Sequence, residues 1–427
     1  MEEVPQDFRL GLAHKVFLIK TKDIPNVDRE ALQQEVLSAI YKDNLAPYYQ
    51  HICGELGWPV DSAKLAEMQA ANAAKLAELD EKQKDAEENL GETEVRDVML
   101  ARAEYLGNIG DREAATQAYD AVEKKTASGG NKVDLLFSQI RLFMQYGDWR
   151  RVKALVGRAQ GLCEEGGDWE RKNKLKVYQG VLALYTRQFA AAADLLLDST
   201  ATFTASELFP YTRLIFYAVV AALTTLSRPE LKRRVVDSPE VLSVIHSLPG
   251  LQPLLEALYH CKYRQMFGSF LEVVGAMRSD MFLHHHVRHY SRELRAVAYS
   301  QFLESYKSVT LDSMAAAFDV SAGFLDGELV DFICAGRLHA KIDKVAGVIE
   351  TNRPDAKNAL YADTLKRGDL LLTRVQRLER AQLVSVVSAT GPAEGGDKHA
   401  MGFVCSGLGC MCQSEGCICR ASGWGRV

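Results

Sequence analysis

"LDSMAAAFDVSAGFLDGELV", Leu311 to Val330, reads as two short helices joined by a tight turn. Thr310 is placed to cap the first helix, which turns Leu311, Met314, Ala315 and Phe318 inward. Asp319-Val320 reverses the chain. Ser321 caps a second helix that carries Phe324, Leu325, Leu329, Phe332 and Ile333 on one face, with Phe318, Phe324 and Leu325 expected in the core. Gly336 stands where glycine ends helices. The following segment alternates at Leu338, Ala340 and Ile342, then turns back through Val345, Val348 and Ile349, as a hairpin does. Two helices and a hairpin make a winged helix.

A winged helix is best known for entering the DNA major groove. The charges here argue against that use. Between Thr310 and Glu350 there are three basic residues (Arg337, Lys341, Lys344) and seven acidic ones. The second helix holds Asp326, Glu328 and Asp331 and no Lys or Arg. Base readout relies on Arg, Lys, Asn or Gln on top of phosphate contacts. An acidic helix repels the duplex, so the shape reads as a docking module for protein.

The rest of the chain frames that module. Its 427 residues, 47% hydrophobic, are enough for a large core, and the formal net charge of -5 gives no basic surplus for phosphate backbones. The start, MEEVPQDF, is too acidic for a secretory leader. The longest apolar run, Leu214 to Leu226, is too short to span a bilayer and reads as a buried helix. Cys53, Cys163, Cys261 and Cys334 lie far apart, as reduced, buried cysteines do. The expectation is a soluble, intracellular protein without disulfides.

Helical periodicity dominates before residue 335. Asp61 is a candidate cap for a helix with Leu65, Met68, Leu76 and Leu79 on one side, and Gly91 marks a break. From Lys75 to Glu104 ten acidic residues face five basic ones, which reads as a solvated helix surface or as an acidic docking face. Three units then repeat one order of residues: an aromatic helix end, a tight turn, and a second helix rich in alanine. The turns fall at Gly110-Asp111, Gly147-Asp148 and Gln188-Phe189, and Arg112, Trp149 and Phe189 are equivalent, 37 and 40 residues apart. That period suits stacked hairpins of the tetratricopeptide type. Beyond them Pro229, Pro239, Pro249 and Pro253 are expected to end helices.

After the hairpin a last helix runs from Ala359 to Arg380, with Leu371, Val375 and Leu378 in one apolar row flanked by Arg374, Arg377 and Arg380. Such a row either packs on its own domain or joins a bundle with other chains. From Gly391 to Val427 there are nine glycines and no periodicity, so disorder is expected.

The fold expected is therefore mainly α: a tetratricopeptide-like helical-repeat solenoid, a winged-helix domain and a C-terminal helix. The divisions are a helical segment over 1–60, the solenoid over 61–205, a domain over 206–358 with the winged helix at 310–350, the bundle helix over 359–380, and a Gly- and Cys-rich tail over 381–427.

Signs of chemistry are sparse. His285, His289 and Glu293 would share one helix face and could hold a metal, but HExxH is absent. His284-x-His286 begins a JAMM-type motif, yet the position for its aspartate holds Val297. Cys405, Cys410, Cys412, Cys417 and Cys419 pair as C-x-C rather than C-x2-C. Phosphate-loop, dinucleotide and nucleophile-elbow motifs are missing. No catalytic residue, cofactor or specific metal is assigned.

The order of repeats, winged helix and final helix resembles the PCI family, whose members build the proteasome lid, the COP9 signalosome and translation initiation factor 3. The blocks DAEENLGETEVRDVMLARAEYL, EEGGDWERKNKLKVYQG, YSQFLESYKSVTL, AGRLHAKIDKVAGVIETNRPDAKNALY and KRGDLLLTRVQ are similar to the family's proteasome lid members, plant-type ones especially, from about Asn44 to Arg380. The resemblance implies a non-catalytic scaffold in the 19S lid, supporting degradation of ubiquitinated proteins. It implies PCI-type and MPN-type lid subunits and the base ATPases as partners, no DNA and no membrane, and a place in cytoplasm and nucleus. Carried over, His339, Lys341 and Asp343 fall at the inter-subunit edge of the wing, and Leu371, Val375 and Leu378 on the bundle helix. The histidine run is richer than the family pattern, and 47 residues follow Arg380 where family chains end sooner. Alternatives are subunit one of the COP9 signalosome and, of other classes, a winged-helix nucleic-acid binder or an enzyme with a histidine metal site.

Overall fold

A computed structural model describes residues 6–24, 27–89, 91–166, 168–351 and 356–389. The tail from Gly391, with its expected disorder and its five cysteines, lies outside the described residues.

Three helices open the chain: α1 (Phe8–Lys20), α2 (Arg29–Lys42) and α3 (Ala46–Leu56). They bury Val36, Ile40, Tyr48 and Ile52 in a small core of their own, closed by Met68 of the long α4 (Ser62–Asn89). Asp61 caps α4, its Oδ1 accepting from Ala63 N at 3.1 Å. The acidic stretch is laced with ion pairs: Glu78 accepts from Lys75 and Lys82, and Asp80 from Arg102 at 2.7 Å. The two lysines pull the Glu78 carboxyl down to about 2.

Three hairpins follow: α5 (Glu92–Ile109) with α6 (Arg112–Lys125), α7 (Gly129–Gln145) with α8 (Trp149–Gly166), and α9 (Trp169–Tyr185) with α10 (Phe189–Ser199). Each turns through a left-handed residue. The φ values are 83° at Gly110, 68° at Gly147 and 64° at Arg187. Glycine takes that conformation without cost in the first two turns; the third places an arginine there. In the third pair α9 and α10 approach so closely that a Cβ on Gly180 would meet Leu196 at 2.5 Å.

The equivalent positions Arg112, Trp149 and Phe189 share a packing role. Arg112 lies over the ring of Tyr146 at 5.5 Å, and Trp149 stacks on Tyr185 at 3.9 Å. Each joins its hairpin to the end of the next hairpin's first helix. Phe189 has no fourth hairpin to meet and packs on His286 and Tyr290 instead. The stacking thus runs directly into the region that carries the winged helix.

That region holds α11 (Tyr211–Thr225), α12 (Arg228–Leu231) running on into a π-turn (Lys232–Val236), α13 (Pro239–Ile245), α14 (Leu251–Tyr259), α15 (Tyr263–Arg278), a 3-10 turn (His284–His286) and α16 (Val287–Leu303). Leu214 to Leu223 of α11 are all buried, as the apolar run predicts. Among the described residues no helix is long and apolar enough to cross a membrane. The prolines correct an expectation. Pro229 and Pro239 sit at helix starts, Pro253 lies in the first turn of α14, and Pro249 lies between two helices. A proline loses nothing where the N–H has no partner anyway, so it begins helices rather than ending them. Of the separated cysteines, Cys53 and Cys163 are buried as expected, but Cys261 is half-buried and Cys334 exposed.

The winged helix comprises β1 (Ser308–Thr310), α17 (Leu311–Phe318), α18 (Ala322–Cys334), β2 (Ala340–Asp343) and β3 (Val348–Thr351). The sheet order is β1-β3-β2, all antiparallel. One buried cluster extends from Val133 of α7 to Ile349 of β3. A further unit is the single helix α19 (Ala356–Ala389). It continues past Arg380 because no glycine or proline interrupts the chain before Gly391.

The N-terminal helix is tied down by charge. Arg141 of α7 reaches Asp7 and Glu207, each at 2.9 Å, and Tyr178 donates to Glu207 at 2.7 Å. Burial would raise the Asp7 pKa, but Arg9 and Arg141 together hold it below the usual carboxylate range.

Candidate protein-interaction site

Local capping builds the helix-turn-helix as the sequence indicates. Thr310 Oγ1 accepts from Ser313 N at 3.3 Å and Ser321 Oγ from Phe324 N at 3.4 Å. Asp319 turns the chain with φ 57°. Met314, Phe318, Leu325, Leu329 and Phe332 are buried. Phe324 is not: it is 50% exposed, against the expectation of a core position. The Ser321 cap sets the helix phase. Leu325, Leu329 and Phe332 lie at i, i+4 and i+7, and Phe324 is one residue off that row, about 100° around the helix.

Two of the three acidic residues of α18, Asp326 and Glu328, have structural partners. Glu328 accepts from Arg295 Nη2 at 2.7 Å and from the Tyr299 hydroxyl at 3.0 Å, fastening α18 to α16. Asp326 pairs with Lys344 at 3.2 Å, and Arg337 pairs with Glu293. Two of the three cations in this stretch are therefore occupied within the fold. That strengthens the argument against phosphate contact.

The wing places the expected edge residues on an outer strand. β3 is central, so β2 is an edge of the sheet. Ala340 is buried and Ile342 half-buried, while His339, Lys341 and Asp343 are exposed. Lys341 stands opposite Glu350 across the ladder. Asp343 also closes the hairpin, its Oδ1 accepting from Val345 N at 2.9 Å. Sequence reading missed β1, which is three residues long; its only signal is the β-branched pair Val309-Thr310.

The histidines are a joint between layers. His284 to His286 form a 3-10 turn and α16 begins only at Val287, so His285 does not continue the helical row of His289 and Glu293, as expected for metal binding. His286 is 7% exposed. Its ring donates from Nε2 to Tyr185 O at 2.7 Å and accepts at Nδ1 from Arg187 Nε at 3.3 Å. Those partners select one neutral tautomer. Burial first, then Arg187, His285 and His289, hold its pKa below the ordinary 6.5, against the opposing pull of Tyr185 O. The stabilisation is complete above that ordinary value and is lost as pH falls through the lowered one. Acidification from pH 7.5 to 5.5 should therefore lower the thermal midpoint of the full chain. His286→Asn should reduce that pH dependence, measured by thermal scans at both pH values.

In α19, Leu371, Val375 and Leu378 are 60%, 59% and 63% exposed and share one face. Leu365 and Leu372, also exposed and about 100° around the helix from Leu371, widen the apolar surface. Single exposed leucines are ordinary, but a continuous row marks a contact surface.

Known families match three stretches of the chain. The family model described as "26S proteasome subunit RPN7" matches residues 61–234, "PCI domain" matches residues 272–353, and "26S proteasome regulatory subunit RPN7/PSMD6 C-terminal helix" matches residues 361–381. The chain is 49% identical to the 26S proteasome non-ATPase regulatory subunit 6 homolog of Arabidopsis thaliana, covering 88% of this chain and 98% of that one. It is 47% identical to the Oryza sativa subunit 6, covering 89% and 97%. Identity to COP9 signalosome complex subunit 1b of Drosophila melanogaster is 24%, over 77% of this chain and 64% of that one.

Proposed function

The chain belongs to the 26S proteasome regulatory subunit RPN7/PSMD6 family, and from that premise we propose that it is a non-catalytic scaffold of the 19S lid, working in cytoplasm and nucleus. The observation that carries the reading is the exposed apolar row on α19, Leu371–Val375–Leu378, which is suited to a helical bundle with other chains. The edge strand β2, with His339, Lys341 and Asp343 around it, offers a second contact by strand addition. The partners are other PCI-type and MPN-type lid subunits, with the base ATPases beyond them. This subunit contributes position, and the proteolytic and ubiquitin-removing chemistry belongs to other chains.

Affinity purification of the tagged full chain from cells tests this. The wild type should recover proteasomal subunits in a megadalton particle. Val375→Glu with Leu378→Glu should reduce that recovery at least about tenfold, since burying two charges costs more than ~1.4 kcal/mol. Recovery of a cullin deneddylase in place of the ATPases, or recovery of the chain alone near its own 47.4 kDa, would overturn the reading.

A further inference from the structure

Every side chain described on α19 is exposed, and the helix sorts them by chemistry. At about 100° per residue, Leu378, Leu371 and Val375 fall on one side of an apolar arc about 140° wide, and Leu372 and Leu365 on the other. Gly368 falls at the middle of the arc. A Cβ there would meet nothing within 4 Å. Glycine in a helix interior costs about 1 kcal/mol relative to alanine. Here it leaves a notch between larger neighbours.

The arc has unequal borders. Beside Leu371 and Leu378 run Arg367, Arg374 and Arg377; beside Leu365 and Leu372 lie Asp369 and Gln376. Arg367 pairs with Asp363, one turn away, at 2.8 Å. Arg374 and Arg377 have no carboxylate three or four residues off in either direction, and among the described residues neither forms an ion pair. They stand on adjoining turns, where like charges repel. From 357 to 382 the helix carries six basic residues against three acidic ones, in a chain whose formal net charge is -5. A second copy would bring the same surplus against it. A helix of another chain that carries carboxylates would relieve it.

We propose that the partner of this face is an amphipathic helix of a different chain whose edge toward Arg374 and Arg377 is acidic, and that a large apolar side chain of that helix fills the notch at Gly368. That partner presupposes the scaffold reading, which requires only that α19 joins other chains. Charge and shape then choose the neighbour: side chains of one helix enter holes in the next, and the charged borders set which helices pair.

The tagged full chain and its variants, recovered from cells with quantitative mass spectrometry of the associated subunits, provide the test. Gly368→Leu raises helix propensity, so a loss lies in contact rather than in folding. It overfills the notch and should lower recovery about tenfold. Arg374→Glu with Arg377→Glu should lower recovery about tenfold or more. Arg374→Lys with Arg377→Lys keeps the charge and should recover within about twofold of wild type. A photo-crosslinking residue in place of Leu370, exposed on the basic border, should attach to a segment of another chain with a surplus of Asp and Glu. Failure of the wild type to recover proteasomal subunits overturns the scaffold reading and this partner with it. Three results overturn the partner alone: wild-type recovery by Gly368→Leu or by the glutamate pair, equal losses in the lysine and glutamate pairs, or attachment to a second copy or to a segment without that acidic surplus.

Discussion

Phe318→Ala should destabilise the protein by about 3–5 kcal/mol, the usual cost of truncating a fully buried phenylalanine. Phe318 ends α17 and is 1% exposed. Its ring stacks on Tyr263 at 4.6 Å and meets Tyr299 at 4.9 Å and Phe302 at 5.5 Å, edge-on. Tyr263 belongs to α15; Tyr299 and Phe302 belong to α16. One side chain therefore locks the winged helix to the helices beneath it. Phe318→Leu keeps most of the volume and should cost under about 1.5 kcal/mol. Phe324→Ala should fall within about 0.5 kcal/mol of wild type, because Phe324 is half exposed. Urea midpoints of the three variants measure the contrast. Equal losses at Phe318 and Phe324 would refute the packing described here.

A comparable loss is expected at Asp280, a buried carboxylate with four donors. It accepts from the Tyr217 hydroxyl at 2.6 Å, Arg213 Nη1 at 3.1 Å, Phe282 N at 2.9 Å and Leu283 N at 3.2 Å. These bonds tie α11 to the turn that leads into the histidine joint. The carboxylate also helps burial to push the Tyr217 hydroxyl well above its usual pKa. Asp280→Ala leaves a buried hydroxyl and two buried N–H groups without acceptors and should cost about 3–5 kcal/mol. Asp280→Asn keeps the shape and one acceptor oxygen, and should lose roughly half as much. A shift in urea midpoint of under a quarter of that expected for Asp280→Ala would mean the network does not hold these elements together.

Much of the fold was legible along the chain because its signals are local. The Gly110-Asp111 and Gly147-Asp148 turns, the Thr310 and Ser321 caps, and the 37- and 40-residue spacing of Arg112, Trp149 and Phe189 each depend on residues near one another. The charges that exclude DNA are equally local, since they fall within the stretch from Thr310 to Glu350. Prolines misled because a proline that ends one helix and a proline that begins the next look alike in sequence.

Of the candidate site residues, the sequence by itself determined the row Leu371–Val375–Leu378, because helical spacing alone sets it. Whether a given aromatic is core or surface needed the tertiary structure. Phe318 and Phe324 are six residues apart and chemically identical, yet only Phe318 meets the α15 and α16 rings. The same holds for the histidine run, in which His286 and His289 serve as the next partners for Phe189 after the last hairpin. Periodicity and capping act within a few residues and so are written in the chain. Which side chains share one space is set by how the helices stack, and no local spacing records it.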